Sequence, residues 1–399
     1  MASANLRTRV RTPVPGQGRR RGRTRVFLLF AAFAAIGCGA GPAPPARERI
    51  DASLERALRY LEERQYPDGA WRSETYGALR DGLSLTPSVA KALAFAPPSP
   101  AREAAVRRAR EYLMAHVEPD GRIDPGPYGL AYPVYTAALA ATVLGRSAEA
   151  RELAARDAWL ALLCGHQLTE ELGWSPDDAA YGGWGYSLVP LEKPPAGVPT
   201  HFDADLSSTL FAVGALRLSG VPPEAPEIRK ALRFVERCQD LDGGFFFTPT
   251  HALQNKAGSP GSGRYHAYGS ATADGLRALL RCGLAPHHPR VEAARAWLER
   301  HFDPRTNPGR FEPEREPERD AAYYYWCWSA AHAFRALGIA ELETGDGPLD
   351  WRAALARELL ERQRADGSWV NSSTLVKEDD PLIATPFAAA ALALALCRS

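Results

Sequence analysis

The sequence predicts an all-α protein whose six helical hairpins close into a ring. Two independent repeats along the 399 residues predict this fold class: a turn motif that ends a charged helix, and an Ala/Leu-rich helix that begins near a threonine. The composition agrees with a packed fold, because 45% hydrophobic and 24% charged residues are typical of a chain that buries a large core.

The turn motif consists of a Gln, an Asp-Gly pair and an aromatic residue at fixed spacing. It appears in full at 65–71, 239–245 and 363–369, and each copy closes an amphipathic run such as LERALRYLEERQ. Looser copies lie within 107–121, 159–174 and 293–309. We expect the motif to be structural, because the Gln amide can hydrogen-bond the start of the next outer helix while the aromatic ring packs across it.

The second repeat is a helix that is apolar nearly all round. Each copy has a Leu or Val seven residues after its first position, and the six copies begin at Thr86, Thr136, Thr209, Thr272, Ala330 and Thr385. A helix without a polar face must be buried. One hairpin cannot cover it alone, so neighbouring hairpins must stack, and six can close with the apolar helices inside and the charged helices outside.

The Gln…Asp-Gly-x-Trp turns resemble the QW repeats of the terpenoid-cyclase and protein-prenyltransferase superfamily. Stretches at 181–186, 205–209, 268–272 and 366–371 are similar to those of bacterial prenyltransferase/squalene-cyclase repeat proteins. The resemblance covers about 51–397 and implies a single (α/α)6 toroid domain over 51–399. It implies a fold rather than a reaction, because the superfamily includes cyclases, transferases and binding domains.

The first 38 residues have the pattern of an export signal, with an Arg-rich stretch at 19–25 and an apolar run at 26–36. The run is too short to span a bilayer. Its end at Cys38 resembles the bacterial lipobox, which implies acylation of that cysteine and a flexible tether over 39–50. We therefore expect an exported, membrane-anchored lipoprotein on the periplasmic or cell-surface side. A simple signal peptide, an uncleaved anchor and an unrelated tail remain alternatives.

Charge and cysteine spacing argue against two classes of function. Positions 1–38, which form the predicted signal, contain eight basic residues. The remaining chain is net acidic and has no Lys/Arg cluster. This argues against nucleic acid as a partner. No CxxC pair occurs, which argues against a structural zinc site or a redox motif. The sequence therefore predicts neither a metal nor a cofactor.

The inner helices of such a ring run in one direction, so their N-terminal ends meet at one mouth. The aromatic and acidic residues ahead of these helices predict a cavity for a hydrophobic small molecule or lipid, of the isoprenoid type that the resemblance implies. The predicted ligand-binding residues are Asp203, Trp184, Tyr186, Tyr268, Tyr324, Tyr325 and Asp380. Because neighbouring positions on a helix point in different directions, about half of the aromatic residues at 323–328 should pack into the core instead.

Asp205 has two predicted roles. Squalene-hopene-type cyclases, which this chain resembles, protonate an alkene with the central Asp of an Asp-x-Asp-Asp motif; here the stretch is Asp203-Ala-Asp205-Leu206, without the final Asp. The resemblance implies Asp205 as the acid and His201 as its hydrogen-bond partner. Alternatively, Asp205 caps the following helix. A ligand-binding protein, a terpenoid cyclase or isomerase, and a non-catalytic scaffold all remain open.

Overall fold

The computed structural model describes residues 45–127, 129–195, 203–261, 263–345 and 347–396. These residues include twelve α-helices: α1 (Arg47–Glu63), α2 (Thr86–Ala94), α3 (Pro100–Met114), α4 (Pro133–Leu144), α5 (Ala150–His166), α6 (Leu206–Leu218), α7 (Pro226–Arg237), α8 (Gly269–Arg281), α9 (Pro289–His301), α10 (Tyr323–Ala336), α11 (Trp351–Arg362) and α12 (Pro381–Leu396). Between α10 and α11, the short strands β1 (Leu342–Thr344) and β2 (Gly347–Leu349) pair antiparallel.

The even-numbered helices form a closed inner ring. Each of them contacts the next, and α12 returns to contact α2. The odd-numbered helices lie outside this ring, and α1 contacts α3 on one side and α11, the last outer helix, on the other. The predicted all-α toroid of six hairpins is confirmed.

Burial follows the sequence pattern that predicted the two rings. In α6, every residue from Leu206 to Leu216 is buried, as expected of a helix that is apolar all round. In the outer helix α7, only Ile228, Ala231, Phe234 and Val235 are buried, and these positions form one face. The core therefore lies between the two rings and among the inner helices.

The two sequence repeats are joined by one hydrogen bond. The backbone N–H of Trp71 donates to Thr86 Oγ1 at 3.0 Å, so the aromatic residue of the turn is tied to the threonine that opens the inner helix. The indole N–H of Trp71 donates to the carbonyl of Leu61 at the end of α1. Equivalent bonds to threonine occur at Trp184, Phe245 and Trp369.

The repeated glutamines link neighbouring outer helices, as predicted. The side-chain amide of Gln239 donates to the carbonyl of Arg290 at 2.9 Å, in the first turn of α9. Gln363 makes the same contact to Ser53 of α1, also at 2.9 Å, across a separation of 310 positions. This bond joins the last outer helix to the first and helps to close the ring.

The aromatic residue predicted from the sequence for one repeat is wrong. The looser copy at 159–174 ends at Trp174, but the amide of Gln167 donates to Gly182, and Trp184 takes the position that Trp71 has in the first repeat. Residues 168–181 form an inserted loop with a 3-10 turn, Glu170–Leu172. The insertion increases the sequence separation between Gln167 and Gly182, so this copy of the motif cannot be recognised by its spacing.

The predicted signal, lipobox and most of the tether lie outside the described residues. Helix α1 begins at Arg47, so residues 47–50 are helical where the sequence predicted a tether. Ile50 is buried against the core, which explains why the helix extends this far. Among the described residues, no helix has the length and apolar character needed to cross a membrane.

Candidate ligand-binding site

A cavity of about 380 Å³ opens at the mouth formed by the N-terminal ends of the inner helices. We call it the upper cavity. It lies among the first turns of α2, α4, α6, α10 and α12, and the loop at 375–378 covers part of it. Its lining is mainly aromatic and aliphatic, with Tyr132, Tyr135, Tyr186, Phe211, Phe247, Tyr325 and Phe387 as the aromatic members.

Three tyrosines form one wall of the upper cavity. The rings of Tyr135 and Tyr186 stack with centroids 5.9 Å apart and planes at 6°, and Tyr132 meets Tyr186 edge-on at 6.0 Å. Burial raises the pKa of Tyr135 and of Tyr186 well above the ordinary tyrosine value. These phenols are therefore neutral at physiological pH and present π faces to an apolar ligand.

A cluster of four aromatic residues, which we call the aromatic partition, lies at the base of the upper cavity: Phe211, Tyr325 and Phe387 line the cavity, and Trp328 packs against all three. Trp328 lies at its centre, with ring centroids 5.5 Å from Phe211, 5.3 Å from Tyr325 and 5.3 Å from Phe387. Phe211 and Phe387 also line a second cavity on the far side. The partition therefore divides the centre of the ring into two chambers.

A fully buried carboxylate, Asp274 of α8, lies beside the aromatic partition. It accepts hydrogen bonds from Ser207 Oγ at 2.8 Å, from the Tyr325 hydroxyl at 2.7 Å and from Ser329, and Arg277 lies at 3.4 Å. Burial raises its pKa, and the charge of Arg277 and these hydroxyls oppose that shift. Asp274 thus links α6, α8 and α10 at the level of the aromatic partition.

Glu378 fixes the loop over the upper cavity to the start of α10. Its carboxylate accepts from the backbone N–H groups of Tyr324 at 2.9 Å and Tyr325 at 2.8 Å, and from the Asn371 amide at 3.1 Å. A carboxylate at a helix N-terminus is favourably placed. Burial nevertheless dominates and raises the pKa of Glu378 to about 7.

Two lysines lie at the rim of the upper cavity. Lys377 Nζ donates to the Tyr132 hydroxyl at 2.7 Å, and Lys256 Nζ lies 5.3 Å from the centre of the Phe247 ring. Lys377 has a φ of 65°, in the left-handed region that non-glycine residues rarely adopt. The strained backbone places its side chain across the mouth, against the tyrosine wall.

Solved structures share this ring. A variant of the type II terpene cyclase MstE from Scytonema, in complex with its product merosterolic acid A, superposes with a TM-score of 0.55 at 19% sequence identity, over 88% of this chain and 97% of MstE. A variant in complex with the substrate geranylgeranyl dihydroxybenzoate gives a TM-score of 0.53 at 17% identity, over 88% and 98%. The chain has the fold of the type II terpene cyclases.

This terpene-cyclase fold is also found in other proteins. A glycosidase superposes with a TM-score of 0.50 at 13% identity, over 88% of this chain and 97% of the glycosidase. A protein from Actinoplanes gives 0.52 at 18% identity, over 87% and 100%. No protein-family profile and no curated protein matches the sequence. Because rings of this kind support different chemistries, the side chains must decide the function.

Asp205 caps α6 of the inner ring, which is one of the two roles that the sequence predicts. It is fully buried, and its carboxylate accepts from the backbone N–H of Ser208 at 2.8 Å and from the Ser208 hydroxyl at 2.6 Å. Burial raises its pKa to about 7 against these bonds. Asp205 and the half-buried Asp203 are not part of the cavity lining. His201 lies outside the described residues.

Of the predicted aromatic ligand-binding residues, Tyr186 and Tyr325 line the upper cavity, and the others pack elsewhere. The Trp184 indole N–H donates to the carbonyl of Leu163, and the Tyr324 hydroxyl donates to Val370. Tyr268 packs against Phe311 with centroids 5.8 Å apart. These three rings take part in packing and hydrogen bonding around the ring and are not part of the cavity lining.

Asp380 also lies away from the upper cavity. It accepts from the backbone N–H of Leu382 and from the hydroxyl of Ser73. Its role in the structure is to cap the start of α12 and to bind the loop after the first turn motif.

The polar residues in and beside the upper cavity were not predicted from the sequence. Asp274 and Arg277 carried a signal, because these charges, together with Arg281, lie on an inner helix that the repeat pattern predicts to be buried. Lys256 and Lys377 lie in loops whose course the repeats do not predict. Among the described residues, no cluster of three His, Cys, Asp or Glu side chains is arranged to hold a metal ion.

Proposed function

We propose that this protein binds an isoprenoid-like hydrophobic ligand in its upper cavity. The observation that carries the proposal is the aromatic enclosure of about 380 Å³ at one mouth of the ring. A largely apolar cavity with a few polar groups at its edge is the usual form of a small-molecule site, and its volume lies within the usual range of about 300–1,000 Å³.

The comparison with MstE supports the class of ligand. A variant of that cyclase, which has the same kind of ring, forms a complex with its substrate geranylgeranyl dihydroxybenzoate, and this substrate carries a geranylgeranyl chain. The tyrosine wall and the aromatic partition offer π faces on two sides of an extended apolar chain. The rim lysines provide polar contacts for one end of such a ligand.

The hydrogen bonding favours binding over alkene protonation. A carboxylic acid that protonates a substrate must present its O–H group to it. In the described structure, the carboxylates of Glu378 and Asp274 are both engaged by N–H or O–H donors, and Asp205 faces Ser208 instead of the cavity. Each carboxylate acts as an acceptor that fixes helices and loops.

The second candidate function is a terpenoid cyclase or isomerase of class II type. One observation favours it: complete burial raises the pKa of Asp205 to about 7, so its protonated form is accessible near neutral pH. In this account Asp205 is the proton donor and His201 its partner. A ring that serves as a non-catalytic scaffold is the third candidate.

Incubation of the purified full chain with squalene, farnesol and geranylgeraniol separates these candidates. After removal of free ligand, the organic extract is analysed by mass spectrometry. The proposal predicts that an unchanged isoprenoid is retained by the protein. A product isomeric with the substrate that disappears in Asp205→Asn would establish the cyclase, and the absence of any retained or converted isoprenoid would contradict both.

We further propose that the ring is exported and lipid-anchored. The support is the sequence of the N-terminal segment, in which an Arg-rich stretch and a short apolar run precede Cys38. Acylation of Cys38 would place the binding ring at a membrane surface, where hydrophobic ligands are concentrated. No cofactor is part of this proposal.

A further inference from the structure

A second cavity, which we call the lower cavity, opens at the opposite mouth of the ring. Its volume is about 370 Å³, and it lies between the C-terminal halves of the inner helices, below the aromatic partition. Most of its lining is apolar, including Leu54, Leu58 and Leu394. Phe95 and Leu218 also line it and are 54% and 67% exposed, so they form an apolar rim open to solvent.

Three basic side chains project into this apolar space from three different helices. They are Lys91 of α2, Arg281 of α8 and His332 of α10. The described lining of the lower cavity contains no carboxylate. The nearby carboxylate of Asp274 is engaged by Arg277 and by hydroxyl groups.

None of the contacts of the three basic groups is an ion pair with a carboxylate. Lys91 Nζ lies 5.5 Å from the Trp328 ring centre and 5.9 Å from that of Phe211. The guanidinium of Arg281 donates to the neutral carbonyl of Leu210 at 3.0 Å, and the His332 ring lies 5.0 Å from Trp328. Within the described residues, no carboxylate forms an ion pair with any of the three groups, and the charge of Asp274 opposes the lowering of the Arg281 pKa only in part.

The fold is shaped to hold Arg281 in this position. Gly214 of α6 faces it, and a Cβ atom there would lie 2.4 Å from the guanidinium nitrogen. A glycine within an inner helix lowers helix stability by about 1 kcal/mol relative to alanine. Here it makes room for the guanidinium to reach the Leu210 carbonyl between α6 and α8.

Clustered positive charge in an apolar chamber is costly without an anion. Burial and the neighbouring Arg277 and Arg281 lower the pKa of Lys91 to about 7, and the same causes, with Lys91, lower the pKa of His332. The negative ends of the inner-helix dipoles offset part of this repulsion. A bound anion would oppose the remaining repulsion.

We propose that the lower cavity binds an anionic amphiphile, a molecule with a carboxylate or phosphate head group on an apolar chain. The head group is bound by Lys91, Arg281 and His332, and the chain packs against the leucines and out past the apolar rim. This site is separate from the upper cavity, uses different residues and requires a charged ligand.

The test compares matched ligands on the purified full chain. Palmitate is compared with hexadecanol, and farnesyl phosphate with farnesol, in competition titrations against a fluorescent fatty acid. We expect at least one anion to bind ten-fold or more tightly than its alcohol. A preference for palmitate identifies a carboxylate ligand, and one for farnesyl phosphate identifies a phosphate ligand. Inorganic phosphate should bind far more weakly than either anion.

The variant Lys91→Met should reduce the preference for the anion over the alcohol to near unity, and Arg281→Met should reduce it by ten-fold or more. The exposed Lys193 provides a matched control, so Lys193→Met should keep the wild-type preference. Circular dichroism checks that each variant is folded. Equal affinity of the anions and alcohols, or an anion preference that survives in folded Lys91→Met and Arg281→Met, would overturn the proposal.

The upper cavity can be tested separately in the same preparation. Uncharged geranylgeraniol should bind Lys91→Met as it binds the wild type, and it should fail to bind Ser84→Phe, which fills space in the upper cavity alone. If anions and alcohols bind equally well while geranylgeraniol still binds, only the proposal for the lower cavity is overturned. If the anion preference is present but geranylgeraniol does not bind, the proposed function is contradicted and the lower site is supported.

Discussion

The hydroxyl of Tyr325 donates to Asp274 Oδ2 at 2.7 Å, across the contact between α10 and α8. The tyrosine ring lies in the floor of the upper cavity, and the carboxylate lies buried behind it. One bond therefore connects the surface that a ligand would touch to the charged network that holds the inner ring together.

Replacement of Tyr325 by Phe should lower the free energy of unfolding by about 1–2 kcal/mol, because it removes a donor from a buried carboxylate. Burial already raises the pKa of Asp274 above 3.8, and loss of this donor raises it further. The folded variant then favours the protonated acid, so its deficit should be larger at pH 8 than at pH 5. Urea unfolding at both pH values measures this.

The exposed Tyr66 supplies the control, and Tyr66→Phe should leave stability unchanged at both pH values. A deficit of Tyr325→Phe that is the same at pH 5 and pH 8 would show that Asp274 does not sense the lost hydroxyl.

The third repeat depends on a glycine that has no room for a side chain. Gly182 has a φ of +87°, and a Cβ atom there would lie 2.0 Å from the carbonyl oxygen of Lys230 in α7. Gly220 has a similar φ of +95° but open space around it. Gly220→Ala should therefore cost only the backbone strain, about 1 kcal/mol, whereas Gly182→Ala should cost several times more.

Thermal unfolding of the two glycine variants measures this difference. Equal stability of Gly182→Ala and Gly220→Ala would show that the approach of the turn to α7 is not close in solution.

Asp205→Asn tests whether this residue is only a helix cap. Asn is as good a cap as Asp, so we expect a loss of about 1 kcal/mol or less in the free energy of unfolding. Abolished turnover of an isoprenoid in the fully folded variant would instead assign Asp205 a catalytic role.

The pH dependence adds a second readout for Asp205. Its pKa is raised from 3.8 to about 7, so between these two pH values Asp205 is protonated in the folded wild type and ionised in the unfolded chain. The contribution of Asp205 to stability therefore falls as pH rises from about 4 to 7. Asn cannot titrate, so the variant should compare more favourably with the wild type at pH 8 than at pH 5.

Cys38→Ala tests the proposed lipid anchor. If Cys38 is acylated, its loss should move the protein from the membrane fraction to the soluble fraction, because a lipid chain supplies the membrane affinity. Cys164→Ala is the matched control, since Cys164 belongs to the ring. An unchanged membrane fraction in Cys38→Ala would contradict the lipobox interpretation.

The sequence predicted the ring more completely than the site. Both repeats consist of residues that make the same contact in successive hairpins. Thr86 accepts a hydrogen bond from Trp71, and Gln363 donates one to Ser53 of the neighbouring outer helix, so the residues that build the ring recur at fixed spacing. The insertion after Gln167 hid one repeat because the pattern depends on spacing, whereas the contact depends on position in space.

The composition of the site depends on which side chains point into the cavity, and the spacing of residues in the sequence does not determine this. Tyr324 and Tyr325 are adjacent, yet only Tyr325 lines the upper cavity. Asp205 was singled out by a motif but caps a helix, whereas Asp274 joins three inner helices through partners 51 to 67 positions away. Such contacts follow from ring closure, so the charges within α8 marked Asp274 in the sequence but did not identify its partners.

Titration of geranylgeraniol into the wild type and Ser84→Phe, followed by tryptophan fluorescence, tests the central claim most directly. Ser84 lines the upper cavity, and a phenylalanine there should occupy the space of the ligand. We predict saturable binding at one site per wild-type chain and at least ten-fold weaker binding by a folded Ser84→Phe. Absence of binding to the wild type, or equal binding by the two proteins, would contradict the assignment of the upper cavity as the ligand site.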